Sequence, residues 1–288
     1  MNWDFFNFMI LVAVNIIFFI LGIILNSIVI VVFWRTTCLR KKLCHFMIMV
    51  LCCCDLLSIL VNHPTATVAT MFFVMKKFKI LPPWLRIALD VTTIFQAMSL
   101  LALLVMNLDR YLAICHPLYH KANITKHKLL SIFGITLFLY TILHTFYIDE
   151  MVYSVTVQGI IFLCLYMPPM LFVNYKLFKI SRKHHSFNSI IHDKKRTVSL
   201  KQVSTCLMAF ANLMLFSIAS LIFLVYNILF PNTRETDVVV LWLKTILTLN
   251  STFNCLIFFW KKQSLRTEAI NIAKAITNSF CPFKKPAT

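Results

Sequence analysis

Glycine is nearly missing from this chain, with three residues in 288. That scarcity argues against glycine-rich phosphate loops and turn-rich β architectures. Charge is scarce as well: 13% of residues are charged, against about 25% in an average soluble domain. Acidic residues are the scarcer sign, 10 Asp+Glu beside 28 Lys+Arg. With 60% hydrophobic residues and a mean hydropathy of +0.81, one soluble core cannot hide the apolar surface. These shortages exclude a soluble globular enzyme. What the chain has instead is long unbroken apolar runs, the mark of membrane-spanning helices.

A bilayer core is crossed by about 20 apolar residues in a helix. Seven such runs are present, at about 9–34, 44–74, 87–112, 129–148, 153–175, 202–229 and 238–259. No internal repeat, low-complexity stretch or soluble segment interrupts them, so residues 1–288 read as a single domain. The first run has neither a basic stretch before it nor a small-residue cleavage site after it, so it reads as a span and not as a signal peptide. The expected fold is an all-α integral membrane protein, a seven-transmembrane helix bundle followed by a short amphipathic helix at about 261–278. In that last segment Leu265, Ala269, Ile272 and Ile276 recur at helical spacing with basic residues between them. This pattern suits a helix lying on the inner leaflet. Cys281 follows it, either a palmitoylation site or an unmodified thiol.

The basic excess has a membrane explanation. Of the 28 Lys and Arg, 22 fall in the loops and tail on one side of the spans and 6 on the other. The positive-inside rule then places the N-terminus outside and the C-terminus in the cytoplasm, as in a multi-pass plasma-membrane protein. It also makes nucleic acid an unneeded partner. Lys76, Lys77 and Lys79 run against the trend, in an extracellular loop. None of the ten cysteines lies in a predicted extracellular loop, so no extracellular disulfide is available. Cys52, Cys53 and Cys54 are consecutive. On a helix they point about 100° apart, which suits packing and not chelation.

Polar groups inside a membrane are costly, so each needs a reason. Asp55 stands in the middle of the second run and Asn26 in the middle of the first. Ser99 lies in the third, and Asn250, Ser251 and Asn254 lie in the seventh, where Asn250 and Asn254 share a helix face. Two readings fit: a cation site around Asp55, or a hydrogen-bonded helix-packing cluster.

The inner end of the third run reads Met106-Asn-Leu-Asp-Arg-Tyr-Leu-Ala-Ile-Cys-His-Pro-Leu-Tyr-His120. Asp109–Arg110 alone could be an ordinary snorkelling pair at a membrane edge. The whole string resembles the third-helix signature of rhodopsin-like (class A) G-protein-coupled receptors, in the form found in olfactory receptors. Lys201-Gln-Val-Ser-Thr-Cys206 is similar to the sixth-helix opening of olfactory receptors, and Leu249-Asn-Ser-Thr-Phe-Asn-Cys-Leu-Ile-Phe258 to the family's seventh-helix motif. The resemblance spans all seven runs and the eighth helix.

That resemblance implies roles. Arg110 would be the switch arginine, held at rest by Asp109 beside Tyr111, and Tyr175 would swing toward it on activation. Pro117 and Leu118 would meet the Gα subunit of a heterotrimeric G protein. Asn254 and Phe258 would belong to the seventh-helix switch. Asp55, Ser99, Asn250, Ser251 and Asn254 match the family's sodium site, the one metal or cofactor the resemblance implies. An extracellular ligand, chemosensory by the olfactory likeness, would lie among the outer halves of the helices near Asp90, Thr92, Thr93, Gln96 and Lys244.

The chain also departs from the family pattern. Cys255 and Phe258 replace the seventh-helix proline and tyrosine, and Phe216-Ser-Ile-Ala stands where the sixth-helix aromatic and proline would be. Trp84-Leu85 occupies the place of the usual third-helix cysteine, and the second extracellular connection is only about Asp149–Tyr153. Both features are similar to melanocortin, cannabinoid and lysophospholipid receptors. Thr92 takes the position where amine receptors carry aspartate, and Thr248 that of the opsin retinal lysine. Lys244 and Arg86 could anchor an anionic ligand, with Lys76, Lys77 and Lys79 steering it in, or could contact lipid headgroups.

The competing classes are weaker. A transporter often shows repeats and several midplane charges; here no repeat is found and Asp55 is the one firm midplane carboxylate. An enzyme would need a base–nucleophile pair or a metal set, and His63, His144 and His184-His185 form neither. The expected function is a G-protein-coupled receptor, the alternatives being a transporter or a weakly signalling member of the receptor family.

Overall fold

The computed structural model describes residues 3–74, 82–146, 167–187 and 234–280, together with Met214, Ile218, Leu221 and Val225 of the sixth run. The rest of that run, Lys76–Lys79, Asp149–Tyr153 and Cys281 lie outside the described residues.

Within the described residues every element is helical. In hydrocarbon no water completes a backbone hydrogen bond, so each segment must satisfy its own N–H and C=O groups, and a helix does this locally. The elements are α1 (Trp3–Arg35), α2 (Thr37–Lys41), α3 (Leu43–Val74), α4 (Pro83–Cys115), α5 (Pro117–Asn123), α6 (Lys126–Phe146), α7 (Met167–Phe187), α8 (Arg234–Lys261) and α9 (Gln263–Phe280). Four of them, α1, α3, α4 and α6, are long and apolar enough among the described residues to cross a membrane.

The helices outrun the apolar runs, because backbone hydrogen bonding continues where hydropathy stops. Thus α7 carries on past Tyr175 through the basic residues Lys176 to Lys183. Proline marks two of the starts: Pro83 opens α4 and Pro117 opens α5, positions where the missing N–H is no loss. Pro64 sits inside α3. Around it Thr65, Thr67 and Thr70 donate their hydroxyls back to the carbonyls of Val61, His63 and Ala66. Such bonds keep polar side chains satisfied within the helix.

α1 shows how the bundle sorts its faces. Phe5, Met9, Ile16, Ile17, Ile20 and Ile24 are exposed, the face that suits lipid. Leu11, Asn15, Gly22, Asn26 and Val29 turn inward at helical spacing. α3 packs between α1, α4 and α8. The inner core joins Met47, Leu51 and Cys52 of α3 with Leu103 and Met106 of α4, Val173 and Leu177 of α7, and Cys255 and Phe258 of α8. Cys52 and Cys54 are buried free thiols within that packing. A smaller outer core holds Leu11, Ala69, Leu85, Leu89 and Leu241. α9 docks its apolar stripe through Leu265, Ala269 and Ile272 against Val32, Phe33 and Leu39.

Candidate functional site

Polar residues gather at three levels of the bundle. Near the C-terminal end of α4, Asp109 and Arg110 are both buried. Arg110 donates through Nε to Asp109 Oδ2 at 2.9 Å and bonds the same oxygen through a terminal nitrogen. The other carboxylate oxygen, Oδ1, lies 2.8 Å from His120 Nε2 on α5. A carboxylate held from two directions fixes α5 against α4. Next to this anchor Leu118 is 85% exposed, a large apolar side chain projecting from the end of the bundle. Pro117 is exposed too. α6 fastens the same end: Lys126 donates to the Arg40 carbonyl at 2.7 Å and lies over the Phe46 ring. Tyr111 is half-buried, near the rings of His116 and Phe172. Tyr175 is 61% exposed and has not joined Arg110.

In the middle of the bundle Asp55 is fully buried, 0% exposed. Ser99 of α4 donates to Asp55 Oδ1. Ser251 and Asn254 of α8, which packs on α3, are buried as well, and Asp55 Oδ2 has no hydrogen-bond partner among the described residues. Asn250 is buried one turn earlier on α8. Asn26 instead bonds its own helix, its amide donating to the Gly22 carbonyl at 2.9 Å. Among the described residues no basic side chain pairs with Asp55. The donor set is therefore a carboxylate with neutral hydroxyl and amide oxygens, the chemistry a hard cation accepts.

In its N-terminal half, α8 is bonded on two sides. Lys244 Nζ reaches α4, donating to the Leu89 carbonyl and to Thr92 Oγ1. Gln96 returns the contact, donating at 3.2 Å to the Lys244 carbonyl and to Thr248 Oγ1. Thr93 Oγ1 lies 2.6 Å from His144 Nε2 of α6, and Asp90 acts electrostatically on both His144 and Lys244. The structure thus brings Asp90, Thr92, Thr93, Gln96 and Lys244 into one buried cluster.

The next residue, Thr245, turns the other way. Asn15 of α1 donates its amide to Thr245 Oγ1 and to the Leu11 carbonyl, both at 2.9 Å. Those two bonds use both amide protons, so Asn15 Oδ1 must accept, and the His63 ring nitrogen 2.7 Å from it must carry a proton. Three helices meet in this Asn15–His63–Thr245 clasp, all three side chains buried. Neither the clasp nor His120 stands among the sequence-level site candidates. A polar residue within an apolar run was the available signal for Asn15.

The geometry collects buried polar groups at both ends and in the middle of a bundle of apolar helices. The chain matches no individual curated protein. It matches the 7 transmembrane receptor (rhodopsin family) profile over residues 25–258, a stretch that runs from α1 to the end of the inner core at Phe258. On that match the chain belongs to the rhodopsin family of seven-transmembrane receptors.

Proposed function

We propose that the chain is a plasma-membrane receptor, N-terminus outside, that converts binding of an extracellular ligand into activation of an intracellular heterotrimeric G protein. The observation that carries this reading is the inner-end assembly. Arg110 is buried and held by Asp109, and Leu118 projects from the adjoining α5. A guanidinium keeps its charge at any working pH, so its release from Asp109 would present a permanent cation to a docking protein. A ligand that favours the open arrangement would shift the bundle toward that state.

Two further roles belong to this proposal. Asp55, Ser99, Ser251 and Asn254, with Asn250 beside them, would hold a sodium ion that favours the closed bundle. Asp90, Thr92, Thr93, Gln96 and Lys244 would line the ligand site, and the olfactory-like motifs support a chemosensory ligand. The test is G-protein recruitment in cells across a panel of small-molecule ligands. Arg110→Ala should abolish recruitment while surface expression stays near wild type. Undiminished recruitment by Arg110→Ala would refute the switch role.

A further inference from the structure

Lys244 is 5% exposed, yet among the described residues no carboxylate makes an ion pair with it. Asp90 acts on it through space, from the neighbouring helix. An ammonium has three N–H donors. Two of them go to neutral oxygens, the Leu89 carbonyl and Thr92 Oγ1. A buried charge left without a bonded counter-ion is strongly disfavoured.

The surrounding donors are already in use. The Thr92 hydroxyl donates to the Leu89 carbonyl. The Thr248 hydroxyl donates to the Lys244 carbonyl. The Gln96 amide donates to that same carbonyl and to Thr248 Oγ1. Among the described residues, the third N–H of Lys244 and the Nδ1 of His144 are the spare hydrogen-bonding capacity of this cluster. An incoming group that uses the lysine N–H has to be an acceptor, and a charged acceptor gains most. An amine would meet the Lys244 ammonium as like charge, whereas an acid that bonds the ammonium directly has to outweigh Asp90, which acts on the lysine only through space. We propose that Lys244 is the anchor for an acidic group, and that this receptor's ligand is a small molecule bearing one carboxylate. The inference rests on the ligand-site reading above and specifies its chemistry. The burial of Lys244 inside the bundle favours a free carboxylate over the phosphate of a lipid headgroup, which would approach from the lipid face.

The experiment uses the full chain, purified in a neutral detergent. Its thermal unfolding is followed with straight-chain carboxylates from acetate to decanoate, each beside the alcohol of the same length. A ligand that binds the folded state raises the melting temperature. At least one carboxylate should do so where its alcohol does not. Lys244→Gln should weaken that carboxylate by about 10- to 100-fold, the worth of one charge-assisted hydrogen bond. Lys244→Arg, which keeps the charge, should retain the preference and shows that the position tolerates substitution.

Equal shifts from acids and alcohols, no shift across the whole series, or an undiminished acid shift in Lys244→Gln would each overturn the proposal. A second arm compares bilayers of phosphatidylcholine with bilayers containing phosphatidylglycerol. Stabilisation by the anionic lipid that disappears in Lys244→Gln would assign the lysine to headgroups and also overturn it. The unfolding readout is independent of signalling. A Lys244-dependent acid shift without G-protein recruitment would therefore sink the receptor reading and leave this site standing.

Discussion

His120 and Asp109 meet across two helices: the imidazole Nε2 of α5 lies 2.8 Å from Oδ1 of α4, while Arg110 takes Oδ2. A carboxylate can only accept, so Nε2 carries the proton. Asp109 is fully buried, and removing one of its partners costs about 1–3 kcal/mol. His120→Ala should therefore loosen α5 from α4 and weaken the resting hold on Arg110. The expected outcome is raised ligand-independent G-protein recruitment at matched surface expression. His120→Gln keeps an N–H donor and should stay closer to wild type. Basal recruitment unchanged in His120→Ala would show that Asp109 needs Arg110 alone.

Gly22 sets how closely α1 approaches its neighbours. A Cβ built there would lie 2.6 Å from Ile59 Cδ1 and 2.8 Å from Thr252 Oγ1. Overpacking of this kind costs about 1–3 kcal/mol. Gly22→Val should lower the melting temperature and surface expression. Gly22→Ala should be milder, and Ile59→Ala in the same chain should recover part of its loss. Gly134 on α6 faces open space, so Gly134→Ala is the matched control and should cost nothing measurable. Equal effects at both glycines would show that the contact at Gly22 is not the cause.

The described helices were legible in the chain because lipid forces backbone closure, and the apolar runs record that demand directly. Their partners were less so. Apolar faces on α1, α3, α4 and α8 are chemically alike, so hydropathy does not say which meets which. The inner site was read through a contiguous string, Asp109 to His120, but the string does not reveal that its last residue folds back on its first. That contact depends on the break between α4 and α5 at His116. The clasp was harder still, since Asn15, His63 and Thr245 come from three distant segments with no local pattern in common. Asp55 stands out in the sequence because a lone carboxylate in an apolar run has few explanations. Tyr175 illustrates the opposite limit: the resemblance describes its place in the active state, whereas here it faces outward.

The clasp makes a quantitative claim. Asn15 is bonded to both His63 and Thr245, so the three residues form one network and their losses should not add. His63→Leu and Thr245→Val each remove bonding from the buried Asn15 amide, at about 1–3 kcal/mol apiece. Once one bond is gone the remainder can relax, and the double mutant should fall short of the sum by about 0.5–3 kcal/mol. Melting curves of the four purified proteins measure this. Strict additivity would mean that the contacts are incidental to stability.

The midplane site yields a prediction in which the sign reverses. Asp55 is fully buried, its Oδ1 bonded by Ser99 and its Oδ2 without a hydrogen-bond partner, and no basic side chain pairs with it among the described residues. If sodium completes that set, the wild-type chain should melt higher in sodium chloride than in the chloride of a bulky organic cation at equal ionic strength. A ligand at 100 times its dissociation constant stabilises by about 2.7 kcal/mol. Asp55→Asn nearly keeps the shape and removes the charge. It should erase the sodium effect and, in the organic cation alone, melt above wild type, because a buried uncompensated carboxylate is gone. Agonist affinity should follow, lowered by sodium in wild type and indifferent to it in the mutant, with a coupling of about 1–3 kcal/mol. If wild type and Asp55→Asn respond to sodium alike, Asp55 serves helix packing and the ion-site reading fails.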